Sequence, residues 1–144
     1  MPESKRNTMK LHLTLATIAL PLLLSAANGQ LGKDKKEKKP APKILYGTAS
    51  YYHDKFNGRE TANGEIFSQK KLTAACNVLP MGTWIKVTNL RNGKSVIVKT
   101  NDRLHPRMKR VVDLSRSAAQ KIGYIGYGLT RVKVEVLGKK KPSV

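Results

Sequence analysis

The side chains best suited to moving protons gather in three short stretches of this 144-residue chain. The first is Thr61-Ala62-Asn63-Gly64-Glu65. The second covers residues 72–83 and contains Cys76. The third is Asn101-Asp102-Arg103-Leu104-His105-Pro106, directly after a β-like run. A carboxyl group at a strand end is well placed to project into a cleft, and Asp102 sits there. The plain alternative is an Asx-turn residue that only ends the strand. His53 and His105 are the imidazoles near these stretches, and His105 lies three residues from Asp102. Its plain alternative is an exposed loop histidine. Cys76 is the single cysteine, so an intramolecular disulfide is excluded. No His, Cys, Asp and Glu set has the spacing of a metal site, and neither metal nor cofactor is expected.

The elements that must position these residues read as β-structure. Residues 44–52 are β-formers around Gly47 and suit a first strand. Residues 84–90 alternate as a half-buried strand does, and residues 95–100 return after Arg91-Asn92-Gly93-Lys94. Asn-Gly between two β runs is a strong hairpin signal. Residues 111–114 form a short strand. Residues 115–122 form a helix that Ser115 can cap and Gly123 can end. Residues 131–137 alternate again. Many short strands with one helix favour a small closed barrel, which leaves no free sheet edge.

Ahead of the barrel segment, Lys10 precedes an apolar run over residues 11–24, then Ser25-Ala26-Ala27. A basic start, a short apolar run and small residues make a secretory signal over residues 1–29. The run is shorter than the roughly 20 residues of a membrane span. Cys76 is far from this leader, so no lipid attachment is expected there. Residues 30–43 are a Lys-rich linker with Pro40 and Pro42, too polar for a core. Residues 138–144 form a basic tail. The formal net charge is +19, and residues 44–137 alone hold sixteen Lys and Arg against six acids. Such a surface favours an anionic partner: nucleic acid, anionic membrane or carboxylate-bearing cell-wall polymer. Export argues against nucleic acid. A periplasmic or secreted protein without a stable membrane anchor, acting as a monomer, is expected.

The three stretches together resemble the rare lipoprotein A family. The matching features are Gly47-x-Ala49-Ser50-Tyr51-Tyr52, Phe56-x-Gly58-Arg59-x-Thr61-Ala62-Asn63-Gly64-Glu65, Leu72-Thr73-Ala74-Ala75, Leu79-Pro80-x-Gly82-Thr83, Val87-Thr88-Asn89-Leu90-x-Asn92-Gly93, Asn101-Asp102-Arg103 and Asp113-Leu114-Ser115. The resemblance implies a six-stranded double-psi β-barrel over residues 44–137, an all-β fold with one short helix. It also implies an endolytic lytic transglycosylase of peptidoglycan glycan strands. Such enzymes cleave the bond between N-acetylmuramic acid and N-acetylglucosamine and leave a 1,6-anhydro sugar. Asp102 matches the family's catalytic aspartate, and Glu65 matches an acidic family position with a binding or supporting role. Glu65, Cys76, Asn101, Arg103 and His105 are expected to line the groove, with Cys76 a buried small residue there. Cys76 stands where the family usually has histidine. That departure leaves a second reading open, a barrel that binds peptidoglycan without cutting it. A third is a basic barrel that scaffolds protein partners.

Overall fold

The computed structural model describes residues 41–143. The proposed leader and nearly all of the linker lie outside the described residues. Six strands close into a barrel: β1 (Ile44–Tyr51), β2 (Thr73–Ala75), β3 (Trp84–Asn89), β4 (Ser95–Asp102), β5 (Val112–Leu114) and β6 (Thr130–Gly138). Their order around the barrel is β1-β5-β2-β4-β3-β6. Two pairs are parallel, β1 with β5 and β2 with β4; the others are antiparallel. One helix, α1 (Arg116–Lys121), packs on the barrel.

Alternation decides which side chains fill the interior. Ile85 and Val87 of β3, Val96 and Val98 of β4, and Val132 and Val134 of β6 point inward and are buried. Their partners in sequence point out. Asn89 is also fully buried, and its amide is partnered at both ends: Nδ2 donates to Ile122 O at 2.8 Å and Oδ1 accepts from Thr130 Oγ1 at 2.8 Å. A buried amide without such partners would be costly, so this one ties β3 to the end of α1 and the start of β6. The β3–β4 turn forms as the Asn92-Gly93 pair predicts, with Gly93 at φ 73°. Gly47 serves packing instead: a Cβ there would meet Val111 Cβ at 2.8 Å.

Ser115 caps α1 through Ala118 N, and Gly123 follows its end at φ 71°. The strand Thr73–Ala75 is absent from the sequence reading. All three of its residues are buried, so it has no inside-outside alternation to detect. Part of the basic tail lies against the barrel: Lys139 Nζ donates to Met81 O, and Lys141 Nζ sits 5.9 Å from the Trp84 ring centre. No helix among the described residues is long and apolar enough to cross a membrane.

Candidate active site

Asp102 is the last residue of β4, where the parallel β2–β4 ladder shifts register between Ala74 and Ala75. Past this bulge Ala75 pairs with Asp102, whose carboxylate meets a residue just past β1. Three donors hold it. Tyr52 Oη donates to Oδ2 at 2.6 Å, while Ala62 N and Arg103 N donate to Oδ1 at 2.9 and 2.8 Å. Tyr52 lies just past β1, so the two strand ends meet at this one group. Its ring stacks on Phe67, with ring centres 4.2 Å apart, and meets Phe56 edge-on. Burial is the main cause that pushes the Tyr52 phenol far above its ordinary pKa, and the hydrogen bond to Asp102 adds to it. Tyr52 therefore keeps its proton and always donates.

The carboxylate opens into a cleft of about 580 Å³ that Tyr52, His53, Arg103, His105 and Arg110 help to line. Both imidazoles are oriented by the chain beside them. His53 Nδ1 accepts from Lys55 N at 3.1 Å, and His105 Nδ1 accepts from Arg107 N at 3.2 Å. In each neutral ring the hydrogen then sits on Nε2, which is left to donate.

Two of the cations near Asp102 in sequence are paired elsewhere. The Arg103 guanidinium donates to the carbonyls of Cys76 and Leu79. Arg110 makes a two-pronged bond to Asp113 at 2.8 and 2.9 Å. Among the described residues no salt bridge reaches Asp102.

Glu65 sits beside the cleft, not in its lining. Its loop is folded on itself: Thr61 N donates to Glu65 O at 2.7 Å, and Asn63 Oδ1 accepts from Thr61 Oγ1 and Glu65 N. Asn63 N donates to Asn101 O at 3.3 Å, which fastens the loop to β4. The Glu65 carboxylate accepts from Asn101 Nδ2 and Asn63 Nδ2, both at 3.0 Å, with Lys99 Nζ at 3.8 Å. The bond from Asn101, then that from Asn63, holds the Glu65 pKa below the ordinary glutamate value. Asn101 is buried, and its amide is spent on Glu65 rather than on the open cleft.

Cys76 requires a correction. Its side chain has no exposed surface and belongs to the apolar core, so the thiol does not line the groove. Only its main chain takes part, with Cys76 N donating to Asp102 O at 3.1 Å. The structure thus brings Asp102, Arg103 and His105 into one cleft with His53, sets Glu65 and Asn101 at its side, and withdraws Cys76. Sequence reasoning missed Tyr52 as a site residue. The available signal was its place in the Gly47-x-Ala49-Ser50-Tyr51-Tyr52 motif.

Comparison with known proteins concerns the barrel as a whole. Residues 45–134 match the lytic transglycolase domain family. An endolytic peptidoglycan transglycosylase RlpA of Pasteurella multocida is 52% identical over 92 residues, covering 63% of this chain and 31% of that protein. A Haemophilus influenzae protein of the same name is 40% identical over 126 residues, covering 88% of this chain and 44% of that protein. The chain therefore spans less than half the length of these relatives. A Clavibacter michiganensis expansin shares the fold with a TM-score of 0.56 at 18% identity, over 71% of this chain and 53% of its own. Its likeness concerns the fold alone. The double-psi barrel and the match over residues 45–134 establish that the chain belongs to the lytic transglycolase family.

Proposed function

We propose that this chain cleaves peptidoglycan glycan strands by lytic transglycosylation, with Asp102 as the group that moves the proton. The observation that carries the reading is the framing of Asp102 in a family barrel. A carboxylate offers about four acceptor positions in total. Two main-chain donors occupy Oδ1, and Tyr52 occupies one position on Oδ2. The remaining position is on Oδ2, which makes it the atom that exchanges a proton with substrate.

The reaction then needs one carboxyl group. Protonated Oδ2 gives its proton to the glycosidic oxygen as the C1–O bond of the muramoyl unit breaks. The 6-hydroxyl of the same sugar bonds to C1 and returns its proton to Oδ2. No water is consumed, and Asp102 ends as it began. Ordinary glycoside hydrolysis uses two carboxyl groups because water must also be activated. An internal hydroxyl is already held beside C1, so its effective concentration is high. Tyr52 orients and steadies the carboxylate without surrendering its own proton. Glu65 is ionised, which suits binding or charge stabilisation rather than proton donation. The Nε2 hydrogens of His53 and His105 are donors for sugar oxygens.

The basic surface and the leader-like N-terminus support a further reading. Residues 1–29 act as a secretory signal and residues 30–43 as a linker, and the barrel works in the periplasm or outside the cell as a monomer without lipid. N-terminal sequencing of the native protein tests export, with a start near Asn28 or Gln30 expected. Digestion of purified sacculi by the wild type and by Asp102→Asn tests the chemistry. Release of 1,6-anhydro products by the wild type alone is expected. Binding of sacculi with no new ends would leave the protein as a peptidoglycan-binding barrel.

A further inference from the structure

A second and larger cavity, of about 680 Å³, lies apart from the Asp102 cleft on the outer wall of the β3–β4 hairpin. The indole of Trp84, with Leu72 and Ile97, gives it an apolar surface, and Lys86, Lys121 and Lys141 bring three cations from β3, α1 and the tail. Among the described residues no Asp or Glu lines it. Across from Lys86 on β6 stands Glu135, whose carboxylate pairs with Lys133 at 3.4 Å. None of the three lysines forms a salt bridge among the described residues. Trp84 is the only tryptophan of the chain. Sixteen cations on a barrel can be mere solvation, but three of them around an indole make a local arrangement with a chemical preference.

The cavity is joined to the proposed reaction centre by one strand. Along β4, Val96, Val98 and Thr100 are buried inside, while Ile97 and Lys99 point out, about 7 Å apart. Ile97 lines the cavity. Lys99 pairs across the ladder with Trp84, and its ammonium reaches Glu65 at 3.8 Å. Glu65 accepts from Asn101, the neighbour of Asp102. Contacts therefore run from the indole on β3 through Lys99 of β4 and the Glu65 loop to Asn101, the buried neighbour of Asp102.

We infer that the Trp84 cavity is a remote subsite for the glycan strand whose scissile bond lies at Asp102, and that its occupant is a carboxylate-bearing muramoyl unit. The inference rests on the glycan-cleaving function proposed above. An indole suits the apolar face of a sugar ring, as aromatic side chains do in polar-ligand sites. An uncharged sugar would use the indole and leave the lysines unmatched. A muramoyl unit supplies a carboxylate, either on its own lactyl group or on an attached stem peptide. Contacts this far from the bond that breaks contribute by holding the strand in register with Oδ2.

The test uses the full chain carrying Asp102→Asn, so that binding is read without turnover. Three ligands are titrated: peptide-free glycan strands, intact sacculi, and uncharged chitin oligosaccharides. Either carboxylate-bearing polymer should bind tighter than the oligosaccharides, and the tighter of the two identifies the carboxylate. Adding Trp84→Ala should weaken polymer binding roughly 10-fold, and Trp84→Phe should recover most of it. The triple change Lys86→Gln, Lys121→Gln and Lys141→Gln should weaken the polymers and leave the oligosaccharides unaffected. A control triple change at Lys70, Lys94 and Arg131, all to Gln, removes the same charge elsewhere and should have a smaller effect. Melting curves verify folding. The inference is overturned if folded Trp84→Ala binds the polymers normally, or if both triple variants weaken them equally. Failure of the wild type to release anhydro products would refute the cleavage reading alone, because this assay measures binding.

Discussion

The chain carries two carboxylates a short stretch of β4 apart in their attachments, and they are held in opposite ways. Asp102 is fixed by a half-buried phenol and two main-chain N–H groups at the meeting of two strand ends. Glu65 stands on a self-folded loop, with a 41% exposed side chain, and is held by two side-chain amides and a lysine. The first frame is part of the barrel and leaves one acceptor position open toward a cleft. The second is a peripheral network that keeps its carboxylate charged. Residue type alone does not separate a proton-transfer group from a binding group; what differs here is the acceptor position left open on the cleft.

The comparison can be broken most severely at Asp102. Asp102→Asn should lower the cleavage rate by about 10²- to 10⁴-fold while the barrel stays folded and still binds glycan, as measured on purified sacculi. Full activity in that variant would remove Asp102 from the chemistry. Tyr52→Phe tests the frame instead of the group. Loss of one hydrogen bond to a charged acceptor should reduce the rate about 10- to 100-fold, with KM nearly unchanged. A change in KM alone would make Tyr52 a substrate contact.

Glu65→Gln should act more weakly, on KM more than kcat, since an amide keeps part of the network. The same network has a pH signature. The folded Glu65 pKa lies below its ordinary value, so its contribution to stability is present above the ordinary glutamate range and is lost as pH falls through the depressed folded value. Thermal melts of wild type and Glu65→Gln should therefore converge in acid; a gap that widens in acid would contradict the assignment. The smallest effect is expected at Cys76. Cys76→Ala should leave the cleavage rate unchanged and cost about 1 kcal/mol of stability by removing buried volume. A folded but inactive Cys76→Ala protein would restore the thiol to the mechanism.

Much of this molecule is legible before folding, for reasons that can be named. β3 and β4 show because their alternation is long and Asn92-Gly93 joins them; α1 shows because Ser115 and Gly123 mark its ends. The strand Thr73–Ala75 does not show, since it is three residues long and buried throughout. The same contrast holds at the site. Asp102 is readable as a strand-end carboxylate in a family motif. The part of Tyr52 is not, because it depends on β1 and β4 ending at one point, fifty residues apart in sequence. Cys76 shows the same limit: its small apolar side chain suits burial, but only packing shows that it turns into the core and not the groove while its amide turns to Asp102.

The central claim is that one framed carboxyl group suffices because no water enters the reaction. Digestion of purified sacculi in heavy-oxygen water, with the new chain ends analysed by mass spectrometry, tests it directly. The expected result is 1,6-anhydro ends that carry no label and vanish in Asp102→Asn. Labelled reducing ends would show hydrolysis and contradict it.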